Sequence, residues 1–97
     1  MDKIVNVEIC WADWKIPRVQ APGRYVAPAK FPEDIRTWPD DAWSVVLEFE
    51  ELDASSPKNC RGTAHFLAQD APLQRLQSGV SFEMYEGLKL SATINVL

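Results

Sequence analysis

The sequence predicts an all-β fold, a small antiparallel Greek-key β-barrel of about six strands. The main observation is a pair of alternating apolar runs, residues 80–85 and 88–97, joined by Glu86-Gly87. Side chains alternate between the two sides of a strand, so this pattern predicts a half-buried antiparallel hairpin. The second observation is that seven prolines and four glycines divide the 97-residue chain into short segments, which favours several short strands over long helices. The predicted core face of the hairpin consists of Val80, Phe82, Met84, Leu88, Leu90, Ala92, Ile94 and Val96.

The first half of the chain predicts two strands separated by a proline-rich stretch. Residues 4–12 alternate as a strand does, and residues 16–32 contain four prolines. Proline has no N–H for a sheet ladder, so only short or edge strands are expected there, with 25–27 the best candidate. Residues 33–41 are predicted to form a loop with at most one helical turn, because Pro39 interrupts them. The core face of the first strand is Val5, Val7, Ile9 and Trp11.

The second half supplies the remaining strands of a single domain that spans residues 1–97. Strands are predicted over 43–51 and 62–67, with a loop over 52–60 between them. Residues 68–79 lead to the final hairpin, and their proline bars a long helix but permits one packed turn. The predicted core residues of this half, before the hairpin, are Trp43, Val45, Leu47, Phe49, Ala64, Phe66, Leu73 and Leu76.

Composition predicts a globular cytoplasmic protein. The chain is 46% hydrophobic, and no apolar run approaches the ~20 residues of a membrane span. Its first residues follow a strand pattern and not that of a signal peptide. Cys10 and Cys60 are too few for a disulfide framework or a zinc site. They are therefore expected to be reduced thiols, with a Cys10–Cys60 bridge as the alternative.

The net charge of −4 is concentrated in one segment. Residues 33–53 carry eight acidic side chains against Arg36 alone. Such a field attracts a basic partner and repels phosphate backbones. The alternative is that these carboxylates only solvate an outward strand face and two loops. They are Glu33, Asp34, Asp40, Asp41, Glu48, Glu50, Glu51 and Asp53.

No constellation of residues predicts catalysis. His65 is the only histidine, and no nucleophile motif accompanies it. Glu48 and Glu50 lie two residues apart on the outer face of one strand, whereas paired catalytic carboxylates face each other across a cleft. There is no glycine-rich phosphate loop with Lys and Ser/Thr. We therefore expect a non-enzyme with no cofactor and no metal.

Part of the chain resembles the third, C-terminal β-barrel domain of bacterial elongation factor Tu. The similarity lies in Gly62-Thr63-Ala64-His65-Phe66-Leu67, in residues 76–84, and in the Tyr85-Glu86-Gly87 turn with its closing strand. Residues 23–31 are loosely similar to the family's Gly-Tyr-Arg-Pro segment, with Arg and Tyr in reverse order. The resemblance implies a free-standing relative of one barrel. In that family the domain binds tRNA, the exchange factor and the neighbouring barrel, so it implies such roles only as candidates.

The tryptophans indicate where a partner would bind. Trp11 and Trp43 fall on core positions, whereas Trp14 and Trp38 fall in loops, the latter inside the acidic segment. Tryptophan is enriched at interface hot spots, so Trp38 could anchor a basic protein. Alternatively it folds back to cap an open barrel end. The predicted partner-binding residues are Asp34, Trp38, Asp40, Asp41, Glu48 and Glu50.

The predicted function is a non-catalytic protein-binding module. Its most specific form is a small acidic immunity or inhibitor protein that covers a cationic nuclease toxin. One alternative is an RNA-binding (tRNA-like) barrel, which a pI near 4.8 disfavours. Another is a structural subunit or homodimer that pairs through the open proline-rich edge. The RNA alternative would use Lys15, Arg18, Arg24 and Lys30 with Trp14, Tyr25 and Phe31.

Overall fold

Six antiparallel strands close into one barrel, in the order β1-β4-β3-β2-β5-β6. The structure, a computed structural model, describes residues 3–52 and 55–97. Strand β1 lies beside β4 of the β2-β3-β4 meander, which is the Greek-key arrangement. The predicted all-β barrel of about six strands is therefore confirmed. The strands are β1 (Val5–Trp11), β2 (Gly23–Lys30), β3 (Trp43–Phe49), β4 (Asn59–Phe66), β5 (Ser81–Glu86) and β6 (Lys89–Val96).

Short 3₁₀ turns occur in three of the connections. They are Ile16–Arg18 between β1 and β2, Pro32–Asp34 between β2 and β3, and Leu73–Arg75 between β4 and β5. The last is the single turn predicted for residues 68–79, and Leu76 beside it is only 1% exposed. In the part of the chain that the structure describes, no helix is long and apolar enough to cross a membrane.

Aromatic rings fill both ends of the barrel core. At the end where β1 finishes, Trp11 makes edge contacts with Tyr25 (5.3 Å between ring centroids) and Phe49 (5.5 Å). At the other end Phe31 stacks on Phe82 with centroids 4.4 Å apart. The inward faces predicted for the first, third and fourth strands are confirmed. Their fully buried members are Val7, Ile9, Trp11, Val45, Leu47 and Ala64.

Strand β2 is longer than predicted and is not an edge. It runs over eight residues, and seven of them are paired with β3. Only Ala29 and Lys30 are in register with β5. Pro28 is therefore in register with β3 on one side but not with β5 on the other. A proline is tolerated inside the strand for this reason. The predicted homodimer was to pair through an open proline-rich edge, but β2 has a strand on each side. The oligomeric state itself stays a prediction.

A bulge in the final hairpin reverses part of the predicted alternation. The register shifts between Met84 and Tyr85, so that Ser91 is an extra residue on β6. As a result Ser91 is fully buried and its hydroxyl donates to the Met84 carbonyl at 3.0 Å. Two residues predicted to face the core do not: Leu88 lies in the turn and is 84% exposed, and Leu90 pairs with the outward Tyr85 and is only half-buried. A bulge of this kind changes which side of the sheet the following residues face.

The two cysteines lie on adjacent strands but on opposite sides of the sheet. Cys60 on β4 is buried in the core and pairs with Ile9. Cys10 pairs with Asn59 and is half-buried on the outer side. Both thiols are free, and burial raises the pKa of Cys60. The arrangement does not form the alternative Cys10–Cys60 bridge.

Candidate functional site

A buried carboxylate fixes the start of the connection from β2 to β3, residues 31–42, which we call the β2–β3 loop. Asp34 is 3% exposed. Its Oδ2 accepts a hydrogen bond from the Phe31 N–H at 2.9 Å, and its Oδ1 accepts one from Arg75 Nη1 at 3.0 Å. Asp34 was predicted to bind a partner, but its carboxylate is taken up inside the protein. It therefore lies outside the exposed surface.

Arg75 joins the β2–β3 loop to the connection between β4 and β5. Besides its bond to Asp34, the guanidinium lies 5.6 Å from the Phe31 ring centre. Its Nε is 3.9 Å from the Glu33 carboxylate, which is more exposed. The Arg75 side chain is only 17% exposed. Removing one partner of such a partly buried ion pair is destabilising, because it leaves the other charge uncompensated.

Backbone hydrogen bonds continue the ordered part of the loop as far as Trp38. The Asp34 carbonyl accepts from the Thr37 N–H at 3.1 Å and from the Trp38 N–H at 2.9 Å. This is one helical turn, as predicted for residues 33–41. Residues three apart in such a turn share a face, so Ile35 and Trp38 lie on the same side. Ile35 is 74% exposed and Trp38 is half-buried.

The Trp38 ring packs on the outer wall of the barrel and not over an open end. Its centroid lies 4.8 Å from that of Tyr85 on β5, with the ring planes tilted by 46°. The Tyr85 hydroxyl donates to Glu83 Oε1 at 3.1 Å. Burial, followed by this bond to Glu83, raises the pKa of Tyr85. Both aromatic rings keep part of their surface exposed.

Exposed carboxylates complete this surface. Asp40 and Asp41 follow Trp38 after Pro39 and are both exposed, with Asp41 in the left-handed backbone region at φ 59°. Among residues 3–52 and 55–97, no Lys or Arg pairs with either carboxylate. We call the surface the Trp38 face. It comprises Ile35, Trp38, Asp40, Asp41, Glu83 and Tyr85.

The other two predicted partner-binding residues lie on the opposite wall. Glu48 is on the outer side of β3, and Glu50 follows that strand. Both border an open groove that runs over β4 and also contains Arg61. Since β4 is three strands from β5 in either direction around the barrel, this groove faces away from Trp38. The six predicted partner-binding residues are therefore divided between two walls of the barrel and its interior. Asp53 of the acidic segment lies outside the described residues.

The structure separates the residues of the RNA-binding alternative. Phe31 is 1% exposed in the core, so it offers no stacking surface. Lys15 Nζ is bound to Glu86 Oε2 at 2.8 Å, and its side chain is only 15% exposed. The Trp14 ring is covered by the Lys89 ammonium at 4.0 Å. Base stacking needs exposed aromatic faces beside free cations, and Phe31, Lys15 and Trp14 do not supply them.

A polar network that the sequence did not reveal fills the gap where β2 and β5 cease to pair. The Tyr25 hydroxyl lies 2.6 Å from Glu86 Oε2 and 2.7 Å from Ser91 Oγ. Lys15 lies over the Tyr25 ring at 4.8 Å. Hydrogen bonds from Lys15 and, less strongly, from Tyr25 lower the pKa of Glu86. Burial, followed by the hydrogen bond to Glu86, raises the pKa of Tyr25. Its members are 5 to 76 positions apart in the chain, so no local motif marks them.

His65 is the only histidine of the chain. It lies on the outer side of β4 opposite Val46 of β3, and its buried Nδ1 has no hydrogen-bond partner in the described part of the chain. No group of three or more His, Cys, Asp or Glu side chains comes together as a metal site among the residues described.

Comparisons with protein-family models, with curated proteins and with solved structures found no match to this chain. The resemblance to the C-terminal barrel of elongation factor Tu accordingly stays a prediction.

Proposed function

We propose that this chain is a non-catalytic protein-binding module that holds a basic protein at the Trp38 face. The observation that carries the proposal is an internally fixed loop that presents an exposed Ile35, a half-exposed Trp38 and unpaired carboxylates together. An apolar centre with a charged rim is the usual arrangement of a protein interface.

The fixed loop favours binding because little conformational entropy remains to be lost. Asp34 and Arg75 hold the loop from inside, so a partner meets Trp38 already in place. Tryptophan supplies a large rigid contact area and is a frequent hot-spot residue. Asp40 and Asp41 would steer a basic partner toward the ring and raise the association rate.

The most specific form of this proposal is an immunity or inhibitor protein that covers a cationic toxin such as a nuclease. The small size of the chain and its net charge of −4 support this form. A protein that blocks an active site needs a preformed, complementary surface and no catalytic group of its own.

The test is affinity capture with matched surface variants. Four immobilised proteins would each be exposed to native extract with and without nuclease treatment, followed by quantitative mass spectrometry. They are the wild type, Ile35→Ser/Trp38→Ser, Asp40→Asn/Asp41→Asn and Glu48→Gln/Glu50→Gln. The last variant removes the same charge as the Asp pair, but on the opposite wall. We expect one stoichiometric basic protein on the wild type and on the Glu48/Glu50 control, and its loss from both loop variants.

The purified partner then provides the quantitative test. We expect Asp40→Asn/Asp41→Asn to slow association by roughly tenfold at low salt, with a smaller effect at high salt. A partner retained equally by all four proteins would place the interface elsewhere and refute the proposed function. Capture that disappears after the nuclease treatment would favour the RNA-binding alternative.

A further inference from the structure

Inside this protein, a cation is twice held between an aromatic ring and a carboxylate. The first case is Lys15, whose Nζ lies 4.8 Å from the centre of the Tyr25 ring and 2.8 Å from Glu86 Oε2. The Tyr25 hydroxyl is itself bonded to that carboxylate. A ring face and a carboxylate attract the same cation, and each interaction strengthens as water is excluded.

The second case is Arg75 at the other end of the barrel. Its guanidinium lies 5.6 Å from the centre of the Phe31 ring, and its Nη1 is 3.0 Å from Asp34 Oδ1. The site again consists of one ring and one carboxylate, here three residues apart in the chain. Both cations are largely removed from solvent.

The Trp38 face presents the same combination on its outer side. Two rings, Trp38 and Tyr85, meet at 46° with centroids 4.8 Å apart. Glu83 is fixed beside them by the hydroxyl of Tyr85, and the unpaired Asp40 and Asp41 follow Trp38 in the loop. Within the described residues, the Lys and Arg side chains that cover aromatic rings do so elsewhere, at Trp14, Tyr25 and Phe31. The rings and carboxylates of the Trp38 face are thus complementary to a cation from another molecule.

We infer that the basic partner docks with an arginine side chain seated on Trp38 and Tyr85 and paired with Glu83. This rests on the proposed function and specifies the chemistry that the Trp38 face recognises. A planar guanidinium stacks flat on an indole while its edge donates to a carboxylate, whereas an ammonium is a compact, strongly hydrated point charge. The face therefore selects arginine over lysine.

The experiment uses the ¹⁵N-labelled chain and single-residue probes. N-acetyl-arginine methylamide, N-acetyl-lysine methylamide and the neutral citrulline analogue would be titrated while the backbone and the four tryptophan indole N–H signals are followed by NMR. We expect saturable shifts centred on Trp38, Glu83 and Tyr85, with the arginine probe at least about threefold tighter than lysine. The citrulline probe should produce no saturable shift.

Three variants test the assignment to this face. Trp38→Leu should abolish the selectivity for arginine, whereas Trp14→Leu, which removes a ring already covered by Lys89, should leave it unchanged. Glu83→Gln should weaken the arginine probe by about three- to tenfold. The spectrum of each variant also shows directly whether it is folded.

The outcomes separate this inference from the proposed function. Equal binding of arginine and lysine, or shifts away from Trp38, would overturn the inference while capture by the Trp38 face could still stand. A second outcome would overturn both the inference and the proposed function: arginine selectivity at Trp38, together with a partner that the loop variants capture as well as the wild type does. The site would then have no part in docking.

Discussion

Replacement of Asp34 should test whether this residue supports the β2–β3 loop from inside, as the structure shows, or belongs to the binding surface. The carboxylate is 3% exposed and accepts two hydrogen bonds, from the Phe31 N–H at 2.9 Å and from Arg75 at 3.0 Å. Asp34→Ala would leave the N–H without an acceptor and the guanidinium without its closest anion. Both losses act on the folded state, so they should appear as lost stability.

The expected cost follows from the two bonds. A buried N–H left unpaired costs about 1–3 kcal/mol. Breaking a buried ion pair costs about 3–5 kcal/mol when the remaining charge is fully enclosed. The Arg75 side chain is 17% exposed and keeps Glu33 nearby, so the loss of its pair with Asp34 should cost less than that. We expect about 3 kcal/mol for Asp34→Ala, which lowers Tm by about 12–24 °C in a domain of this size. Asp34→Asn keeps one acceptor for the N–H and should cost about half as much.

Urea unfolding followed by circular dichroism measures this effect, with Asp40→Asn as the control. Asp40 is exposed and unpaired among the described residues, so its replacement should change stability by less than about 0.5 kcal/mol. Arg75→Met alone and combined with Asp34→Asn would complete a double-mutant cycle, in which the two effects should be strongly non-additive. Equal costs for Asp34→Asn and Asp40→Asn would refute the assignment of Asp34 to the interior.

Two further predictions concern the barrel itself. Gly62→Ala should destabilise the protein by about 2–3 kcal/mol, because a Cβ there would collide with the Glu48 carbonyl oxygen. The control is Gly87→Asn, at φ 62° with open space around it, which should cost less than about 1 kcal/mol. Equal costs in urea unfolding would contradict this explanation. Glu86→Gln should flatten the acid dependence of stability. The folded state lowers the pKa of Glu86, so its contribution is present above the ordinary value of 4.5 and is lost as pH falls through the lowered value. Unfolding free energies measured between pH 7 and pH 3 should therefore decline less in the variant than in the wild type, and parallel declines would contradict the prediction.

The period-two pattern predicted the fold because it reports which side chains need burial. The residues at 7, 9 and 11 and at 45, 47 and 49 follow this pattern, and each set faces the core. Prediction failed where backbone pairing, and not polarity, decides the outcome. Leu88 is apolar yet exposed because it lies in the turn, and Leu90 is only half-buried because the extra residue Ser91 reverses the alternation. No local sequence signal marks this bulge, which arises from a shift in pairing. Strand β2 extends through Pro28 because β5 pairs with only two of its residues, which is a property of the closed barrel.

The candidate site was harder to predict because a charged stretch of sequence is not a surface. The acidic residues 33–53 span a loop, a strand and the bend after it. In the folded protein their carboxylates therefore lie in three different places. Asp34 turns inward to Arg75, which lies 41 positions further along the chain and carried no signal in the sequence. Glu48 turns to the opposite wall because alternation on β3 places it outward beside β4. Asp40 and Asp41 remain beside Trp38, where Glu83 joins them from a different strand. The local charge around Trp38 is therefore set by the fold, and variants at Trp38, Asp40 and Glu83 test it more directly than any change in net charge.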